Sequence, residues 1–379
     1  MAIEGEIEVT LHWDGRRAQR VTVRSTRPSA AARIAVGRRP ADAARLLPTL
    51  YAVCGHAQRA AATAALRAAG GDVDPSAHAA VAVQLEAVQE SFWRLLIDVP
   101  RALGLATEAA PVAAARACVA RALEDANARP AAARAPIGEA ATALAGLARD
   151  HVFGRAAATR LAETDLGGYD RWRAAAATLP ARALAQLAQL APGLGRSDTP
   201  PMPDLEAGGW TSLARTLQRD PAFAGAPTWD GVAVETGPLS RLREHRLIAA
   251  LTARDGRCAS TRIVARLVEL ARLLEALQRD EGEPSGAVRA WPVEKGSGIA
   301  AVQTARGVLL HLARIDDDRI DDYRIVAPTD WNFHPDGALA RGLVGLEADD
   351  AAALAQRAGL AALALDPCVA FRIEVAGDA

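Results

Sequence analysis

The sequence predicts an α+β fold, mostly α-helical, with small β ribbons near both ends. Half of the 379 residues are hydrophobic but only 4% are aromatic. Alanine is the largest part of that apolar share, which favours closely packed helices over aromatic-rich sheets. Near the start, Ile3, Ile7, Val9, Leu11 and Trp13 alternate with polar or small positions, Asp14-Gly15 supplies a tight turn, and Val21 and Val23 resume the alternation. That pattern is a hairpin. Near the other end, Val308 to Ile315 and Tyr323 to Val326 read as two strands joined by an acidic turn.

Between these ribbons the elements follow in order. After Pro28 and Pro40 the chain becomes rich in alanine and leucine from Ala57 to Ala69, and Gly70-Gly71 stops the run, so Cys54-Gly55 stands near a helix start. From His78 to about Leu103, Val81, Leu85, Val88, Phe92, Leu95 and Leu96 follow helical spacing, and further Ala/Arg-rich helices fill the chain to Ala191. Residues 192–209 are rich in Pro and Gly and read as a long loop within one unit spanning 1–379. Ile263, Leu267, Leu270 and Leu274 then mark a helix from Ser260 to Gln278, and a Gly/Pro-rich loop is expected from Gly282 to Gly298.

The formal net charge is −1, and Lys295 is the only lysine among 44 basic residues. Short basic stretches such as Arg33 to Arg39 lack interleaved aromatics, so no nucleic-acid partner is expected. Arginines and acids interrupt every apolar run before the ~20 residues that a membrane-spanning helix needs. The N-terminus lacks the pattern of a secretion signal, so a cytoplasmic location is expected, with no membrane partner.

The four cysteines, at positions 54, 118, 258 and 368, are too few and too widely spaced for a disulfide framework. Cys118 and Cys258 read as small buried apolar residues. Cys54 precedes a helix whose amides favour the thiolate, and Cys368 follows Asp366-Pro367, which fixes the local backbone. Two thiols make an incomplete metal site, because zinc or an iron–sulfur cluster takes about four protein ligands. None of the seven histidines falls in an HExxH or zinc-finger spacing, and the aspartates at 316–318, 321 and 322 lack the glycine and terminal glutamate of a calcium loop. Nor is there a dinucleotide fingerprint, a P-loop, a GxSxG elbow or a kinase signature.

Six short motifs occur in an order that resembles the large subunit of nickel–iron hydrogenases, and most closely its degenerate relatives, the HupK/HoxV-type hydrogenase maturation proteins. They are Ile3-Glu4-Gly5, Val53-Cys54-Gly55-His56-Ala57, Thr236-Gly237-Pro238-Leu239-Ser240-Arg241, Arg306-Gly307-Val308-Leu309-Leu310-His311, Val326-Ala327-Pro328-Thr329-Asp330-Trp331-Asn332 and Asp366-Pro367-Cys368. Their family counterparts are RIEGH, RxCGxC, GPLAR, APRGxLxH, VVPTTWN and DPCxxC. The departures matter as much as the matches. The second cysteine of each family pair bridges nickel and iron, and here those positions are Ala57 and Phe371; two family histidines are replaced by Ala61 and Glu374.

The resemblance implies a non-catalytic protein with no functional nickel site. Cys54 and Cys368 are the implied iron ligands, and Arg306, Pro328 and Thr329 the implied pocket for cyanide and carbonyl ligands. The implied role is a transient scaffold for the iron dicyanide-carbonyl group before its transfer to the hydrogenase large subunit, in company with hydrogenase maturation chaperones. The other reading is a metal-free mimic of the large subunit, acting as an interaction protein in hydrogenase assembly.

Overall fold

The computed structural model describes residues 5–27, 29–51, 54–75, 78–154, 164–204, 208–279 and 286–377. Ile3, Glu4 and Val53 of the quoted motifs lie outside these residues. The fold is α+β, with helices filling the middle of the chain and strands near both ends. The opening hairpin is β1 (Glu6–Trp13) and β2 (Ala18–Ser25), antiparallel in the register Val9↔Val23. Helices α1 (Gly55–Ala68), α2 (Ala79–Trp93) and α3 (Ala109–Ala128) follow, and α4 (Ala259–Arg279) is the long helix that the leucine spacing predicts.

The second sheet corrects the sequence reading. The expected loop from Gly282 to Gly298 contains β3 (Val288–Glu294), which turns through Lys295-Gly296 into β4 (Ser297–Thr304). Pro292 and the charged residues hide the strand in the sequence, but β3 lies at the sheet edge, where a proline is tolerated. Next come β5 (Gly307–Asp316) and β6 (Arg319–Val326), so the acidic turn shrinks to Asp317-Asp318. The order is β3-β4-β5-β6, antiparallel throughout.

Both faces of β4 and β5 are buried, which explains their nearly unbroken apolar runs. With a side-chain period of two, Ile299, Ala301, Leu310 and Leu312 pack into a core with Trp210, while Ala300, Val302, Leu309 and Ala313 face alanines of α1. Alanine allows a close approach. A Cβ on Gly298 would stand 2.4 Å from the Ala69 nitrogen at the end of α1.

The carboxyl-terminal part begins with the single helical turn α5 (Pro328–Asn332), continues through α6 (Ala351–Ala364) and ends in β7 (Ala370–Gly377). β7 pairs in parallel with β1, Val9 opposite Ile373, giving the sheet order β2-β1-β7. Residues 192–204 form no helix or strand, yet Leu194, Thr199 and Met202 are buried in them.

Gly298→Ala should force the sheet away from α1 and lower stability by about 1–3 kcal/mol, the usual cost of overpacking. Denaturant unfolding checks this, and a midpoint equal to that of the parent protein would refute the close-approach role.

Candidate functional site

Polar ties from three directions bring the scattered motifs together. Asn332, at the end of α5, accepts from the Thr236 amide at 2.8 Å, while its Nδ2 donates to the carbonyls of Arg306 and Leu365, each at 3.4 Å. Thr236 in turn accepts from the Val308 amide at 3.0 Å. Arg241 grips Glu269 of α4 at 2.7 and 2.8 Å and reaches the Thr304 carbonyl at 3.0 Å. Gly307 has φ +134°, and a Cβ there would meet Thr236 at 2.3 Å, so the residue after Arg306 has to be glycine.

Next to these ties lies a buried ion cluster centred on Asp366. Its carboxylate, 3% exposed and carried on a backbone with φ +54°, is ion-paired with Arg94 and Arg266, and Arg306 Nε stands 3.4 Å away. Arg94 arrives through a π-helical turn (Arg94–Asp98) that extends α2, and its second partner is Asp98 at 2.9 Å. Burial alone would raise the Asp366 pKa, but Arg266, Arg94 and Arg306 outweigh it and hold the carboxyl well below the usual range. Arg306 donates from Nη2 to Glu90 of α2 at 2.7 Å.

The loop from Asp366 to Cys368 delivers the second thiol. The Cys368 amide donates to Thr329 Oγ1 at 3.1 Å, and the same oxygen lies 2.9 Å from Cys368 Sγ. Oγ1 accepts from the amide and exchanges a hydrogen bond with the sulfur in which either group can donate, so the threonine is engaged with Cys368 twice. Arg27 Nη1 also donates to Cys368 Sγ, at 3.6 Å.

Cys54 lies at the start of α1, as the sequence indicates, but the expectation that helix amides favour its thiolate is not met. The amides of His56 and Ala57 donate instead to Glu86 of α2, at 2.9 and 3.1 Å. Burial pushes the Cys54 thiol up to about 12, reinforced by the neighbouring charges of Cys368 and Glu86 against the opposing pull of Arg306. Burial likewise pushes Glu86 up to about 7. Gln58, one turn along α1, donates to Cys54 Sγ at 3.6 Å and through Oε1 meets His311 Nε2 at 2.8 Å. His311 Nδ1 is 2.7 Å from the Tyr323 hydroxyl, and burial lowers this histidine to about 3.

Cys54, Cys368, Arg306 and Pro328 line one cavity of about 20 Å³, together with Arg27 and Tyr51. Thr329 lies behind Cys368 rather than on the cavity wall. A cleft of about 590 Å³ borders the cavity at Arg306 and Cys368, with Trp93 and Phe371 further out. Cys258 is buried elsewhere beside the hydroxyls of Ser260 and Thr261, and Cys118 faces the Ala140 carbonyl. Among the described residues no three His, Cys, Asp or Glu side chains converge as metal ligands.

Several site residues escape the sequence reading. Gln58 was accessible, since it follows Cys54 by the four residues that place both on one helix face. Arg27, Glu86 and Arg94 carry no local signal and reach the site only through tertiary packing. Asp366 was noticed for its backbone, whereas its carboxylate holds the cluster.

The architecture is that of nickel-dependent hydrogenase large subunits, and residues 242–370 match the nickel-dependent hydrogenase family. The fold is shared with the Ni-Fe-Se hydrogenase of D. vulgaris Hildenborough at TM-score 0.58 and 17% identity, covering 94% of each chain. It is shared also with the Ni-Fe-Se hydrogenase of Desulfomicrobium baculatum at TM-score 0.57 and 13% identity, covering 94% of this chain and 95% of that one. Within that class the chain belongs to the HoxV/HupK family of hydrogenase expression/formation proteins. It is 33% identical to HoxV of Cupriavidus necator, covering 92% of this chain and 91% of that protein. It is 30% identical to HupK of Azotobacter vinelandii, covering 90% of each.

Asp366→Asn should leave the arginines around it without their shared counter-charge and lower stability by about 3–5 kcal/mol, as for other broken buried pairs. Urea unfolding measures the loss. Since the folded-state pKa is depressed, the Asp366 contribution is complete above the unfolded carboxylate value of about 4 and is lost as pH falls below it. The variant's unfolding free energy should therefore converge on the parent's only in strong acid.

Proposed function

We propose that this protein is a non-catalytic maturation scaffold that holds an iron dicyanide-carbonyl group on Cys54 and Cys368 before its transfer to a hydrogenase large subunit. The observation that carries the reading is the convergence of two thiols and the Arg306 guanidinium on one cavity, in a chain of the HoxV/HupK family. Soft thiolates suit iron that bears strong-field ligands, and a guanidinium is a good donor to the polarised nitrogen of cyanide. Arg306 has five N–H donors, and Glu90 takes one of them. Among the described residues its Nη1 makes no hydrogen bond, which leaves a donor for a bound anion.

Space supports a shallow, releasable seat. A cavity of about 20 Å³ has room for about one water molecule, so a group of seven atoms has to extend into the adjoining cleft. Loading forms two iron–sulfur bonds, and each thiol releases its proton. The raised pKa of Cys54 makes that proton costly to remove near neutrality and favours return of the thiol on release. Ala57 and Phe371 offer no sulfur where the family's bridging cysteines stand, so a bridged nickel has no place. On this reading the protein works in the cytoplasm with hydrogenase maturation chaperones and the large subunit that receives the iron, and it involves neither nucleic acid nor membrane.

The ion pairs of Arg306 with Glu90 and Asp366 favour a second reading, in which the arginine is structural and the chain is a metal-free mimic of the large subunit. Infrared spectroscopy of anaerobically purified protein separates the two readings. Cyanide and carbonyl bands are expected, with loss of both bands and of bound iron in Cys54→Ser or Cys368→Ser, whereas Cys118→Ser retains them. A spectrum without these bands, from protein co-produced with the maturation machinery, would leave the mimic ahead. Equilibrium dialysis against nickel should show no tight site dependent on Cys54 and Cys368, and stoichiometric binding there would turn the role toward nickel handling.

A further inference from the structure

We propose that Arg27 is a second guanidinium donor to the iron-bound cyanides, filling the place that the family resemblance implies for Thr329. The inference rests on the iron-holding reading of the site. A dicyanide group presents two acceptor nitrogens, and Arg306 borders the cavity on the side of the large cleft only. Thr329 is poorly placed for the second nitrogen. Its oxygen accepts from the Cys368 amide and lies 2.9 Å from Cys368 Sγ, so it is engaged with that residue twice, and it is not on the cavity wall.

Arg27 meets the requirement from the other side. It stands two residues beyond β2, whose pairing Ile7↔Ser25 fixes where the chain leaves the sheet, and its amide donates to Ser25 Oγ at 3.3 Å. Its side chain is 13% exposed and lines the cavity with Tyr51. These two residues also wall a separate cleft of about 280 Å³, so the two guanidiniums approach the cavity from different flanks. Among the described residues the nearest carboxylate to Arg27, Asp330, is 3.9 Å away through Oδ1, while its Oδ2 caps α5 by accepting from the Ala327 amide at 2.7 Å. That ion pair is loose, and the remaining N–H groups of a planar five-donor fork are left for an anion beside Cys368.

The guanidinium is held by position and charge, so Arg27→Lys keeps the charge and removes the fork. In protein co-produced with the maturation machinery, infrared spectra should show one cyanide band shifted in Arg27→Lys and the other shifted in Arg306→Lys. The carbonyl band should stay near its parent position, and Thr329→Val should single out neither cyanide band, because its hydroxyl lies against Cys368 Sγ and its loss would move the carbonyl and both cyanide bands together. Arg27→Gln, neutral and shorter, should move the same band as Arg27→Lys, which guards against a folding defect peculiar to either variant. Thermal unfolding of iron-free Arg27→Lys should stay close to the parent's, since the charge is kept and the only ion pair of Arg27 among the described residues is a loose one, at 3.9 Å.

Unmoved cyanide bands in both Arg27 variants would overturn the inference while leaving the iron-holding reading intact. So would a joint movement of the carbonyl and both cyanide bands, which marks a donor to the Cys368 sulfur alone. Absence of cyanide bands from the parent protein itself would sink both readings.

Discussion

A single carboxylate, that of Asp366, is shared by the buried side chains of Arg94 and Arg266, with Arg306 Nε at 3.4 Å. The partners come from the extension of α2, from α4 and from the turn before β5, so one residue binds the helical middle of the chain to its strand-bearing carboxyl-terminal part. An unpaired buried charge is costly, and a buried cluster is stable only when its members arrive together. Asp366 immediately precedes Pro367 and Cys368, so the conformation that satisfies the arginines also sets the position of the thiol. The positive φ of Asp366 is uncommon for a residue other than glycine, and the ion pairs hold it there.

The same economy runs through the rest of the site. Asn332 ties three segments with one amide, and Glu86 occupies the amides at the start of α1. At Cys54, Gln58 is itself oriented by His311, which is oriented in turn by Tyr323. His311 stays neutral in this chain because burial lowers it to about 3, so it can donate through Nε2 while accepting from the tyrosine. The sulfur thus receives its hydrogen bond from a fixed direction.

Much of this fold is legible where periodicity is local and strong. The hairpin reads from alternation across Asp14-Gly15, and α4 from leucines at three- and four-residue steps. β3 is not legible, because an edge strand tolerates Pro292 and surface charges that look like a loop. β7 escaped for a different reason: Phe371, Ile373 and Val375 alternate with exposed residues, but its pairing with β1 spans nearly the whole chain. Cys54, Arg306, Pro328 and Cys368 could be singled out by motif order, and the cavity brings them together. The ionisation of Cys54 could not be read, since the amides next to it are taken by a carboxylate 29 and 30 residues away.

The pairing of β1 with β7 also constrains how the protein is born. Most contacts in a helical domain can form while the chain is still emerging, but this sheet closes a loop of more than three hundred and fifty residues, with Glu6 opposite Ala370. Contacts of such sequence separation form late, and the first strand has to wait as part of an open hairpin. Cys368 lies two residues before β7, so Cys54 stays without its partner thiol throughout elongation. A nascent chain therefore has no completed site to offer, and any partner that recognises both thiols discriminates finished molecules from unfinished ones.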